Sequence, residues 1–271
     1  MKKCLYSILI LCFCVFFIPS TIFAEDNDKE KNEYQKIEIP ESAMRIAKEN
    51  TYPNPSQDLP KLQPSPLAEK LLQSTEVTID NHDLLKMMNE STMRGSKLAI
   101  GMHASIYLGH WPLSYESEET VMNWDYEKIN TNMVDNRSGQ GNKKIQYNQQ
   151  QQKQVKGGLT AEVPEKEMVR QMMLVAASEQ TNLPLSFSTM IGFGTQPERT
   201  FSVAPNKMGY LNTFVPAVNE KGKLTYGEVF LEIRGDKPSL EVKNLTQQGI
   251  GAWIPVQDYV NFKMDTTEEP R

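Results

Sequence analysis

The chain has 271 residues, a formal net charge of −5 and an apolar content of 39%. That length suits one large domain, and a net negative field favours neither nucleic acid nor an anionic membrane surface as a partner. All three cysteines, Cys4, Cys12 and Cys14, sit at the N-terminus, which excludes disulfides, zinc–thiolate centres and a cysteine nucleophile from the rest of the chain.

Lys2 and Lys3 precede an apolar run from Leu5 to Ile18, closed by Pro19 and Ser20 and followed by the small-residue exit Ile22-Phe23-Ala24. This is the three-part pattern of a signal peptide, residues 1–24, with cleavage after Ala24. The run is shorter than the roughly 20 residues of a spanning helix, so a retained anchor is the weaker alternative. Loss of Lys2 and Lys3 takes the formal charge from −5 to −7. Neither Cys12 nor Cys14 follows a lipoprotein pattern.

Residues 25–66 read as a charged, flexible leader and a proline-rich arm. Glu, Asp, Lys and Asn crowd positions 25–38, and Pro53, Pro55, Pro60, Pro64 and Pro66 follow a short amphipathic helix expected over 41–48. Residues 67–264 are expected to form a single α+β domain, mostly antiparallel sheet with a few helices packed on it, and 265–271 a frayed tail. Ser65 and Pro66 supply the cap and first turn of a helix over 66–73. Asp80 caps a second helix over 81–92, with Leu84, Leu85 and Met88 on one side.

From Lys97 the period changes to two. Leu98, Ile100, Met102, Ala104, Ile106 and Leu108 fall on one face of a strand and are the expected core face, while Gly101, His103, Ser105 and Tyr107 fall on the other. Alternation through Met122, Trp124 and Tyr126 slips near Lys128, which predicts a bulge. The turn-rich segment 135–142 followed by polar strand residues 144–155 predicts a long hairpin with one wet face. Residues 165–181 form the best-signalled helix, with Met168, Val169, Met172, Val175 and Ala176 in a stripe and Asn182 past its end. Beyond it come alternating strands at 185–193 and 229–233, then strands at 239–243, 250–255 and 259–264. Turns are expected at Asn219-Glu220-Lys221-Gly222 and Gly235-Asp236-Lys237-Pro238.

Motifs whose spacing is itself a mechanism are missing: there is no HExxH, GxSxG, SxxK, phosphate loop or calcium loop. The Gly-x-Gly pairs at 139, 192 and 249 read as turns or bulges. His103, Tyr107, His110 and Trp111 form the candidate pocket, in which an imidazole serves as base or ligand; the competing account is hydrogen-bonded sheet histidines. The methionines read as core filler rather than a copper site, and no metal or cofactor is implied. Trp111, Trp124 and Trp253 read as core or as an aromatic platform.

Taken together, the signal segment, the arm at 52–58, the block from Gly101 to Trp124 and the Gly249-Ile250-Gly251-Ala252-Trp253-Ile254-Pro255 segment resemble the YfkD-like family of exported proteins from Gram-positive spore-forming bacteria. The resemblance implies export across a single membrane and carries over no catalytic or binding residue. The expected role is a non-catalytic binding protein of the cell envelope or extracellular space, acting on a partner there, with no membrane span after cleavage. The alternative is an extracytoplasmic hydrolase in which His103 or His110 is the base.

Overall fold

The structure is a computed structural model that describes residues 37–46, 62–91 and 101–269. The chain divides into two compact units, residues 1–34 and 35–271, and all described residues belong to the second. The signal segment, most of the proline-rich arm, residues 97–100 of the expected strand and the last two residues of the tail lie outside the described residues.

Ser65 caps α1 (Pro66–Leu72), its side chain accepting from the Ala68 N–H, and Pro66 stands where no N–H is needed. The cap of α2 (His82–Glu90) is Asn81 rather than Asp80: its side-chain oxygen accepts from Leu84 N at 2.9 Å, and its amide donates to the Pro112 carbonyl at 2.8 Å. An amide serves both groups at this buried position, whereas a carboxylate could only accept. The expected helix over 41–48 is replaced at its centre by β1 (Ala43–Arg45), which pairs with β10 (Tyr259–Thr267). Strand β10 also carries order past the expected start of the tail at residue 265.

The main sheet is organised around β8 (Met208–Arg234). Along one edge it pairs with β2 (His103–Asp135) over its full length; along the other it pairs first with β10 and then with β9 (Lys237–Pro255), all antiparallel. β5 (Gly158–Leu159) extends the outer edge of β9. Two small two-stranded sheets pair β3 (Lys143–Gln146) with β7 (Thr200–Val203) and β4 (Lys153–Lys156) with β6 (Ser188–Ile191), and a single antiparallel bridge joins Leu185 to Val256. The expected hairpin from β2 through 144–155 is therefore not formed, because β8 takes β2 as its partner and leaves the later segments to β6 and β7. The turn expected at residues 219–222 is also not formed; these residues lie in mid-strand, paired on both sides. The turn at Gly235–Asp236 does join β8 to β9.

β2 spans the 27 residues of β8 with 33 of its own, a surplus of six (33 − 27) taken up at five register shifts. One shift falls at Lys128, where the slip was expected. The widest sets residues 124–126 against Pro216, a residue with no N–H to give to a ladder.

Helix α3 (Lys166–Thr181) buries Val169, Met172, Met173 and Ala177 against Val218, Leu224, Tyr226, Ile250, Ala252 and Ile254. Helices α1 and α2 bury Leu71, Leu84 and Met88 against Val229, Leu231 and Leu240. The small sheets pack on Leu211, Val215, Val260 and Phe262. Side chains alternate along β8, so its even-numbered face is covered by α3 in the middle and its odd-numbered face is covered at both ends. Between residues 228 and 234 the even-numbered face has no layer over it among the described residues.

Candidate functional site

That uncovered stretch of sheet is where the candidate pocket residues fall. His103, Ser105 and Tyr107 of β2 stand opposite Arg234, Glu232 and Phe230 of β8. Strict alternation would turn His110 to the other side, but one extra residue at Leu108 inverts the phase, and His110 faces Glu228 on the same surface. Gly109 makes the bulge possible: its φ is +122°, and a Cβ there would sit 3.0 Å from Trp111 Nε1. The Trp111 indole donates to the Leu108 carbonyl at 3.0 Å, holding the bulge from the opposite face.

The structure therefore brings three of the four candidates together and separates the fourth. Trp111 lies opposite Gly227 and packs with the α1–α2 core. Among the described residues, His103, Tyr107 and His110 do not enclose a pocket: His103 and Tyr107 are more than half exposed on an open sheet.

Sequence reading missed the partners on β8 and β9. His103 Nε2 is 2.6 Å from Glu232 Oε2, and the Glu232 side chain is only 6% exposed beneath it. Hydrogen bonds from Ser105 and then His103 hold the Glu232 carboxyl below the usual range, with the Lys243 ammonium adding to the effect. The Tyr107 and Phe230 rings meet at 5.1 Å, inclined by 46°, and Lys243 Nζ sits 4.7 Å above Phe230. Lys243 also pairs with Glu241 at 3.0 Å. Asn244, at φ +52° in a bulge of β9, donates to Glu228 at 2.6 Å. His110 stacks flat on Tyr226 at 5.3 Å, and the Tyr226 hydroxyl donates to the Pro164 carbonyl, which marks where the α3 layer begins. One signal was available: an apolar alternation at Val229, Leu231 and Ile233 places Glu228, Phe230 and Glu232 on the opposite face.

The arrangement can offer aromatic edge, two imidazoles, an exposed guanidinium at Arg234 and paired carboxylates to a flat partner. It does not align a proton relay, since Ser105 and His103 both address the same carboxylate instead of each other. Among the described residues, no group of three or more His, Asp or Glu is placed to hold a metal ion, and no helix is long and apolar enough to cross a membrane.

A second polar centre is closed. Glu220 is fully buried under α3, accepting from the Tyr115 hydroxyl at 2.9 Å and the Thr120 hydroxyl at 2.6 Å. Burial, and then the Glu220 charge, push the Tyr115 phenol far above its ordinary value. The Trp253 and Tyr126 rings stack at 5.2 Å, while the methionine expectations divide: Met172 and Met173 are core, and Met102 is 68% exposed.

Comparison with known proteins agrees with the resemblance drawn from the sequence. The chain is 53% identical over 272 residues to the uncharacterized protein YfkD of Bacillus subtilis (strain 168), with all of both chains covered. No solved structure matches it. A family model described as YfkD-like protein matches residues 40–271, which takes in the whole of the sheet and its helices, and the chain belongs to that family.

Proposed function

We propose that the chain is exported, trimmed after Ala24, and acts in the cell envelope or outside the cell as a non-catalytic binding protein. The open sheet face carrying His103, Tyr107 and His110 is its contact surface. The observation that supports this most is that face itself: three strands present Tyr107, Phe230, Arg234 and Lys243 beside a buried carboxylate, with no cleft around the imidazoles among the described residues. Exposed aromatic and arginine side chains are the groups that dominate protein contacts, and a rigid sheet presents them at little entropic cost. A relative of full length from a Gram-positive bacterium suits export across a single membrane.

Two measurements test the reading. The mass of the protein from culture fluid and from membranes reports cleavage; full-length chain beginning at Met1 and free in the cytosol would end the export proposal. Crosslinking in intact cells, compared between the natural chain and a Tyr107→Ala, Arg234→Ala double variant, reports the surface. Loss of a discrete adduct in the variant is expected, and an unchanged pattern would move the contact elsewhere.

The alternative reading, an extracytoplasmic hydrolase, draws on the 2.6 Å contact between His103 and Glu232, which orients an imidazole. It requires His103→Gln to abolish turnover of a model ester by the folded protein.

A further inference from the structure

On the opposite side of β2 from the open face, the described residues leave a space under α1 and α2. A cavity of about 200 Å³ is lined by Leu71, Met87, Met88, Ile106, Leu108 and Leu231, with Ser91 the only one of the described lining residues that carries a polar side chain. Leu71, Met88 and Leu231 form a floor that is almost wholly buried, while Ile106, 43% exposed, marks the mouth. Ile106 and Leu231 are cross-strand partners, and Leu108 is the extra residue of the bulge at Gly109. Thus the same irregularity that turns His110 toward the open face sends Leu108 into this cavity.

The space opens to solvent at Ile106 over an apolar floor, the form of a site that takes a small apolar occupant. Water is a poor one, because a stable buried water needs two to four polar partners and this lining offers one hydroxyl. An apolar cavity of about 150 Å³ accommodates benzene, which sets the scale. Two methionines favour a ring: the thioether is conformable, and sulfur makes favourable contacts with aromatic edges. We propose that this cavity is a binding site for a small aromatic molecule, about one ring in size and uncharged. The site is independent of the open-face reading and lies across the sheet from it.

Methionine ε-methyl resonances of the full chain, titrated with benzene, test this directly. Met87 and Met88 are expected to shift and saturate, while Met172 and Met173, in the α3 core, stay in place. Ile106→Phe fills the mouth and is expected to weaken benzene binding at least tenfold; Phe193→Ser, an exposed residue outside the cavity, leaves it unchanged. Met87→Phe gives the same reading from the helix side should Ile106→Phe fail to fold. Three results would each overturn the assignment: still methyls at Met87 and Met88, movement shared equally with Met172 and Met173, or undiminished affinity in the filled variants.

Discussion

The Tyr115 hydroxyl donates to Oε1 of the fully buried Glu220 at 2.9 Å, and the Thr120 hydroxyl donates to the second oxygen of the same carboxylate at 2.6 Å. A carboxyl this deep is tolerated only because both oxygens are met. Glu220→Ala leaves two part-buried hydroxyls without their acceptor and is expected to cost about 3 kcal/mol, with Tyr115→Phe nearer 1 kcal/mol. Urea unfolding of the three proteins checks the order; a Glu220→Ala change below the Tyr115→Phe change would mean the cluster is not holding the strands.

Glu232 gives the fold a pH dependence whose sign can be worked out. Its folded-state carboxyl titrates below the ordinary value of 4.5, so it contributes stability that is present above that value and lost as pH falls through the folded one. The gap in urea midpoint between the natural chain and Glu232→Gln should be widest near neutrality and close progressively below about pH 4.5. A gap that grows on acidification contradicts the hydrogen-bonding assigned to Ser105 and His103.

Two glycines in the paired region of β8 and β9 should respond oppositely to alanine. A Cβ on Gly222 would lie 2.1 Å from the Glu116 carbonyl oxygen and 2.7 Å from the Tyr115 hydroxyl, and a Cβ on Gly249 would meet nothing within 4 Å. Backbone must move in the first case, so Gly222→Ala is expected to cost about 3 kcal/mol and Gly249→Ala less than about 0.5 kcal/mol. Thermal unfolding distinguishes them, and equal losses would place β2 farther from β8 than drawn here.

The cap of α2 offers a test between neighbours. Asn81→Ala removes both the cap and the donor to Pro112 and should cost about 2 kcal/mol. Asp80→Ala leaves the cap intact and should cost less than half as much. Reversal of that order in denaturant titrations would restore Asp80 as the capping residue.

Local chemistry was legible at several element ends. Ser65 and Pro66 start α1, Asn182 ends α3 in a left-handed conformation, and Gly235–Asp236 turns β8 into β9, because caps and tight turns draw their free energy from adjacent groups. The candidate site was half legible. His103, Tyr107 and His110 were named from one strand, but Glu232, Phe230 and Lys243 approach them from strands more than a hundred residues away.

What local pattern could not decide was which face of each strand meets the core. Residues alternate strictly only in an unbroken strand, and each odd-numbered surplus of residues in β2 inverts the phase. Ile106 does face the α1–α2 side opposite Leu231 but is 43% exposed at its rim, and Met102 is exposed ahead of the first surplus, whereas Leu113, an extra residue between Pro112 and Ser114, is fully buried. Asn219-Glu220-Lys221-Gly222 carries turn chemistry yet lies in the middle of β8, where β2 and β9 satisfy its backbone from both sides. Composition and short-range spacing thus determined an antiparallel α+β chain with the start of α1, the end of α3 and the turn between β8 and β9. The partner of β2, the side on which each helix settles and the surface left open for contact came from long-range pairing, whose free energy is shared among strands and written in none of them singly.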